Sequence, residues 1–410
     1  MDISKKKISI NIGKIVNALT IKKENTIYAE PHINGRVDCF DLINCNADNC
    51  LKTLNYFIKS NNKIKTKIYI EVYDESRIPV LNDYIKSINN PLVEVEFLPS
   101  CWGNAGISKI EKLKRYILNQ HTRHKCKVLL CDTGWAHFFD KIKSQIAIDL
   151  NYGASIKQGN LKDNNINFEH FDYVCETSMM SARVFVSEKR AYYENMVFNG
   201  FSRNDTIGHT DKLDAVNNWL KANNCLDKKI IVFVPTFRPD YIDYNNKNIF
   251  GFEDNGELDK LLEQYNAVLV TKLHPIQREH LSELPKGIIN FEPNYDFTIY
   301  DLFNKTDILI SDYSSISTDF LLAHRPVIYL FADYDEYDSS RGFVYEPIQN
   351  MCCGDVVYTW DEMKKSLQYN LTHPLEEDEL YKNKFDFWFK YDDFNACERN
   401  YNMLLEALNK

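Results

Sequence analysis

The chain has 410 residues, 44% hydrophobic and 26% charged, which fits a folded globular protein with room for two domains of ordinary size. A formal net charge of −9 argues against a general nucleic-acid binder, and no apolar run reaches the length of a transmembrane helix or forms a secretory h-region. The eleven cysteines are odd in number, scattered and without a CxxC pair, which fits reduced thiols in a cytoplasmic protein better than disulfides or zinc; no metal motif is visible.

Residues 1–24 carry Lys5, Lys6, Lys7, Lys14, Lys22 and Lys23 among isoleucines and valines. They read either as a basic segment weakly attracted to an anionic membrane surface or as an ordinary strand-and-turn start, since ISINI alternates with period two; the second reading is preferred. From 26 to 200, strand-like runs fall at Thr26 to Ala29, Lys67 to Val72, Val93 to Leu98, Lys127 to Cys131, Ile146 to Leu150 and Tyr173 to Cys175. Helical stretches lie at 46–60, 76–88, 107–120 and 178–196. Strands alternating with helices predict a mostly parallel sheet covered on both faces, with ligands beyond the carboxyl ends of its strands. Those ends point to Asp132-Thr133-Gly134, Asn151-Tyr152-Gly153 and Glu176-Thr177-Ser178.

Residues 201–228 read as a linker containing a helix through Trp219 and Leu220. A second alternating set follows, with strands at Ile230 to Val234, Ala267 to Thr271, Ile288 to Phe291, Ile308 to Ile310 and Val327 to Phe331 and helices at 256–265, 298–305, 315–323 and 359–369. The tail, 381–408, is aromatic and then helical. Between the last two strands sits Ser311-Asp312-Tyr313-Ser314-Ser315, a small polar turn leading into a helix. Unpaired N–H groups and the helix dipole suit a phosphate there, with Ser314 and Ser315 adding hydroxyls. Taken alone, the turn reads more simply as an N-cap, with Asp319 in the first turns of the helix.

The turn does not stand alone. DYSSISTDF is followed by a proline, a strand, a D-x-x-x-Y element (Asp333 to Tyr337) and RGF, and is preceded in order by NGFSRND at 199–205, VPTFRPD at 234–240 and TKLHP at 271–275. Together these pieces, over roughly residues 125 to 400, resemble the CDP-glycerol glycerophosphotransferase family, whose members polymerise or prime teichoic acids and related capsules. The resemblance implies an α/β chain of GT-B type, with two Rossmann-like domains facing a cleft. Residues 1–205 would form the acceptor domain, 206–380 the CDP-donor domain, and 381–410 a helix crossing back to the first. It implies transfer of a glycerol-phosphate or related polyol-phosphate group from a CDP-activated donor to a glycan or lipid-linked glycan. No cofactor or metal is needed, and the enzyme acts in the cytoplasm or on the inner face of the cell membrane.

Such a transfer must hold the pyrophosphate, stabilise the leaving charge, deprotonate the acceptor hydroxyl and align the reacting oxygens. Ser314, Ser315 and Arg341 are the main phosphate candidates, the arginine fork standing before the permissive Gly342. Thr236 and Arg238 close a strand and stand at even odds with a turn fixed by Pro235 and Pro239. His274 follows a strand end, is kept extended by Pro275, and matches the motif histidine that is catalytic in the family. Asp312 is given a positioning role, and Asp333 and Tyr337 either contact ribose or cytosine or cap the following turn. Arg203, Asn204 and Asp205 are read as pinning the hinge.

The chain also departs from the family. The motif W-H-G-T-x-x-K-x-x-G, whose histidine is thought to act as base toward the acceptor, corresponds to Asn151 through Gly159, with Tyr152 in the histidine position. A tyrosine of ordinary pKa, about 10, is a poor base at neutral pH. His137 can take its place, Lys157 can shift Tyr152, a different donor or acceptor can make the histidine unnecessary, or the base site is nonfunctional. Lys157 is also a candidate for phosphate or an anionic acceptor. Two other readings are a GT-B glycosyltransferase using a nucleotide sugar and a non-catalytic binding subunit of a capsule assembly complex.

Overall fold

A computed structural model describes residues 24–31, 41–101, 106–132, 141–154, 156, 168–236, 250, 256–273, 287–292 and 296–410. The first sheet holds β1 (Thr26–Glu30), β2 (Thr66–Val72), β3 (Val93–Pro99), β4 (Val128–Cys131), β5 (Ile146–Asp149), β6 (Tyr173–Cys175) and β7 (Met196–Val197) in the order β3-β2-β1-β4-β5-β6-β7. The second holds β8 (Lys229–Val234), β9 (Ala267–Thr271), β10 (Ile288–Asn290), β11 (Ile308–Ser311), β12 (Val327–Leu330) and β13 (Asp355–Val357) in the order β10-β9-β8-β11-β12-β13. Every strand pair is parallel. Parallel sheets need both faces covered, which is why VLLC in β4 and ILIS in β11 are continuous buried runs rather than alternating ones.

Three sequence expectations need correction. The stretch 178–196 is not one helix: it runs Met179–Lys189, stops at Arg190 in the left-handed conformation (φ 55°), and ends in the edge strand β7. A further edge strand, β13, and a helix over Tyr334–Ser340 were not expected. The linker region is mostly helical, with Ser202–Asn204, Asp205–Gly208 and Leu213–Ala222.

The helix Asn49–Ser60 shows how the first domain is built. Asp48 caps it by accepting the Leu51 N–H at 2.7 Å. Cys50, Leu51, Leu54, Phe57 and Ile58 form one apolar stripe, buried against the first sheet. Over the same core lies the helix Ala396–Asn409, contributing Tyr401, Leu404, Leu405 and Leu408, with Tyr401 5.4 Å from Phe57 between ring centroids. Asp205 caps this helix across the chain, accepting the N–H groups of Ala396 and Cys397 at 2.9 and 2.7 Å. The preceding helix, Glu379–Trp388, stays with the second domain, burying Tyr381, Phe385 and Trp388 in its core. That core also takes in Ala154 and Ile156 from the loop after β5, so a first-domain loop is packed into the second domain.

Candidate active site

The strand order of the second sheet reverses between β8 and β11, which makes their carboxyl ends a topological switch point, the place where open parallel sheets bind ligands. Asp312, just past β11, ties the two sides together. Its carboxylate accepts the Thr236 N–H at 2.8 and 2.9 Å and the Thr236 hydroxyl at 2.7 Å. Thr236 and Asp312 therefore hold each other at the switch point, which is what keeps the strand-end turn in place.

Ser314 and Ser315 do little as caps. Ser314 Oγ receives only a 3.4 Å contact from the Ile316 N–H, and Ser315 makes no capping hydrogen bond. The helix they open, Ile316–Phe320, has five residues and continues as a single 3-10 turn, Leu321–Ala323, so it offers an anion less dipole than the sequence suggested. Asp319 faces away from the cap. Its Oδ2 accepts from Arg203 Nε at 3.1 Å, Arg203 Nη2 at 2.7 Å and the Tyr300 hydroxyl at 2.5 Å.

The first domain enters through the loop after β5. A Cβ on Gly153 would lie 2.6 Å from Arg203 Nη2 and 2.9 Å from Ser315 Oγ, so the loop backbone rests directly on both groups, at a φ of +153° that favours glycine. The neighbouring Tyr152 is 53% exposed, and the Arg203 guanidinium stands 5.6 Å from its ring centroid and 5.4 Å from that of Tyr300. Burial works against the charge on Arg203, but Asp319 beside it more than compensates and keeps the guanidinium firmly protonated.

Asn151 sets the loop. It adopts a left-handed backbone (φ 60°), and its side-chain oxygen accepts the N–H groups of Tyr152 and Gly153 at 2.6 and 3.2 Å. Its amide donates to Glu176 Oε1 at 2.6 Å, its own N–H donates to Asp149 at 2.6 Å, and its carbonyl accepts from Asn49 Nδ2 at 2.6 Å. Burial pushes the Glu176 carboxyl up to about 8 and Asp149 up to about 7, against the hydrogen bonds that lower them. These groups sit at the strand ends singled out from the sequence, but they brace the loop from beneath.

Arg341 is exposed at the end of the helix Tyr334–Ser340, its N–H bound to the Tyr337 carbonyl at 2.8 Å. Just beyond it, the Val344 N–H donates to the Ile156 carbonyl at 3.2 Å and the Tyr345 hydroxyl to the Met180 carbonyl at 2.9 Å, so this loop also meets the first domain. Asp333 and Tyr337 do not line open space as nucleotide contacts would. Tyr337 is stacked on Tyr313 at 4.0 Å in a buried aromatic cluster, and Asp333 accepts the Tyr313 hydroxyl at 3.1 Å. Both side chains are committed to packing beneath the polar turn. His137, Lys157, Arg238 and His274 lie outside the described residues. Gly153, Arg203, Ser315 and Tyr152 thus come together from three separate stretches, while of the two residues that hold Arg203, Tyr300 lies in no motif and Asp319 lies in DYSSISTDF, where it read as part of a cap.

Comparison with known proteins identifies the family and the fold. A family model described as CDP-Glycerol:Poly(glycerophosphate) glycerophosphotransferase matches residues 108–406. The teichoic acid ribitol-phosphate polymerase TarK of Staphylococcus aureus (strain NCTC 8325 / PS 47) is 30% identical over 211 residues, covering 50% of this chain and 40% of the polymerase. The teichoic acid glycerol-phosphate primase of Bacillus subtilis (strain 168) is 30% identical over 190 residues, covering 44% of each. The chain thus spans less than half the length of these two relatives. The wall teichoic acid polymerase TagF shares the fold with a TM-score of 0.68 at 19% identity, over 98% of this chain and 94% of that one. A UDP-GlcNAc 2-epimerase from Neisseria meningitidis shares it more loosely, with a TM-score of 0.52 at 14% identity, over 93% of this chain and 99% of that one. With nearly three quarters of its length inside the family model, the chain belongs to the CDP-glycerol:poly(glycerophosphate) glycerophosphotransferase family.

Proposed function

We propose that the protein transfers a glycerol-phosphate or related polyol-phosphate group from a CDP-activated donor to a glycan or lipid-linked glycan in teichoic acid synthesis. The observation that carries this reading is the contact of Gly153 with both Arg203 and Ser315, which brings a first-domain loop against a hydroxyl and a buried guanidinium at the second domain's switch point. The two sheets are read as halves of a GT-B cleft, with the helix Ala396–Asn409 bridging them.

In the reaction, an acceptor hydroxyl oxygen bonds to the donor's outer phosphorus, the bond from that phosphorus to the bridging oxygen breaks, and CMP leaves. Ser315 and Arg203 are assigned to the phosphates, stabilising charge on the leaving group through protein donors. Arg341, on a loop that also reaches the first domain, adds a second fork. Tyr152, exposed beside Arg203, is assigned to the acceptor, its hydroxyl orienting the incoming group. His274 is assigned to the leaving phosphate and His137 or Tyr152 to the acceptor proton. The enzyme works at the inner membrane face, where a lipid-linked acceptor is presented.

The test is CMP release from CDP-glycerol and CDP-ribitol, followed chromatographically with and without a teichoic acid acceptor. Acceptor-dependent release, reduced at least about tenfold by Ser315→Ala or Arg341→Ala, is expected. Tighter binding of UDP or GDP than of CDP would transfer the assignment to a nucleotide-sugar enzyme. The replacement of the family's histidine by Tyr152 favours one second reading, a binding subunit. Selective CDP binding with no turnover on any acceptor would establish it.

A further inference from the structure

Away from the Gly153–Ser315 contact, a cavity of about 690 Å³ opens where the helix Asn49–Ser60 faces the hinge segment 208–213 and the second-domain turn at Asn304 and Lys305. The helix turns its polar face to this space, with Lys52 and Lys59 seven residues apart on one side. Lys305 closes the cavity from the second domain and His209 from the hinge. Lys52 gives one hydrogen bond to the Asn46 side-chain oxygen at 2.7 Å, and Lys59 lies 5.7 Å from the Tyr84 ring centroid. Among the described residues no carboxylate forms an ion pair with any of the three lysines. The cavity wall carries a single acidic residue, Asp211, which the Asn46 amide contacts at 3.4 Å. Among the described residues the wall thus holds three lysines against one carboxylate, a net positive concavity on a protein whose formal net charge is −9.

We propose that this cavity binds phosphodiester groups of the acceptor chain. The proposal rests on the polyol-phosphate transferase reading above. A chain bearing repeated phosphates is repelled by the protein as a whole, and at physiological salt only charges within about 8 Å counter that repulsion, so the lysines must line its path. The helix also connects the two places. Its first residue, Asn49, donates to the Asn151 carbonyl in the active-site loop at 2.6 Å. Lys52 and Lys59 follow at about 4.5 and 15 Å of helical rise, which lets an acceptor with its growing end in the cleft leave inner phosphates at the cavity. Free phosphate has the same charge chemistry, but it lacks the length to engage the helix lysines and Lys305 together.

The test uses the full chain and calorimetry with three probes: a short synthetic glycerol-phosphate oligomer, inorganic phosphate and CDP-glycerol. The variants are Lys59→Glu/Lys305→Glu and, should charge reversal impair folding, Lys59→Gln/Lys305→Gln. Oligomer binding is expected to weaken about tenfold or more in the paired variant and to fall with added salt, while CDP-glycerol affinity stays at the wild-type value. Unchanged oligomer affinity overturns the proposal. So does equal competition by inorganic phosphate, which would make this a small-anion site, or a parallel loss of CDP-glycerol binding, which would mean the hinge itself had been disturbed. If wild type binds the oligomer in a lysine-dependent way but does not bind CDP-glycerol, the donor reading fails while the polyanion site stands.

Discussion

Replacing Arg203 with methionine separates scaffold from chemistry. Arg203 is 5% exposed in its side chain and Asp319 0%, so the substitution strands a buried carboxylate whose remaining bond is the Tyr300 hydroxyl. Breaking one partner of a buried ion pair costs about 3–5 kcal/mol. In a domain of this size each kcal/mol shifts Tm by about 2–4 °C, so Arg203→Met should melt about 6–20 °C lower. The companion variant Arg203→Met/Asp319→Asn removes the stranded charge and keeps an acceptor for Tyr300, and should recover most of that loss. CMP release should not recover, because the guanidinium beside Ser315 is still missing. Urea unfolding followed by tryptophan fluorescence measures the first quantity and chromatography the second. A single variant costing less than about 1 kcal/mol would refute the buried pair, since that is the scale of exposed ones. A double variant that regained activity together with stability would refute any role for Arg203 beyond scaffolding.

Gly153→Ala should cost about 1–3 kcal/mol from its backbone conformation alone, and should lower kcat further by pushing Arg203 and Ser315 apart. Gly153→Ser should do the same, and unchanged kinetics with CDP-glycerol in either variant would contradict the close approach. Burial holds Glu176 protonated to about pH 8 against 4.5 for an ordinary carboxyl, so the folded state binds the extra proton and stability should fall as pH climbs between those values. Glu176→Gln should flatten that slope, whereas Glu176→Ala should cost about 1–3 kcal/mol by orphaning the Asn151 amide, both read from unfolding curves across pH. His324 is opposed by burial, yet its bonds to Glu377 at 2.6 Å and Asp392 at 2.9 Å raise its pKa. Its stabilising contribution is full below about pH 6.5 and is lost as pH rises through the raised value. Because the side chain is 39% exposed, His324→Ala should cost no more than about 1 kcal/mol at pH 6 and less as pH rises, by the same unfolding measurement.

Eleven of the strands, β1–β6 and β8–β12, were legible: central ones such as β4 and β11 as short apolar runs buried on both faces, and β2 and β3 by alternation with charged residues. The two that escaped, β7 and β13, lie at sheet edges, the first with two residues and the second opening on the exposed Asp355, so neither forms an apolar run. The helix at 178–196 was drawn too long because its stop is Arg190 in a left-handed conformation, where the expected signal is glycine or asparagine. Within the site, the strand ends at Asn151 and Glu176 were visible as positions, but their bond to each other was not. Arg203 and Asp319 lie 116 residues apart, and their pairing is a property of the folded chain. Asp319 looked like part of a cap because it stands in the first turns of a helix; its burial against Arg203 decides otherwise.

The crossing of the helix Ala396–Asn409 also bears on synthesis. Domains generally fold as units while the ribosome is still adding residues. Here the first domain lacks Tyr401, Leu404, Leu405 and Leu408 until the whole second domain has been translated, so its nascent form exposes the apolar stripe that those residues later cover. A ribosome stalled within the second domain should therefore hold a first domain that is protease-sensitive along Phe57 and Leu54, and a nascent chain released before residue 396 should be a client for chaperones and not a free-standing first domain.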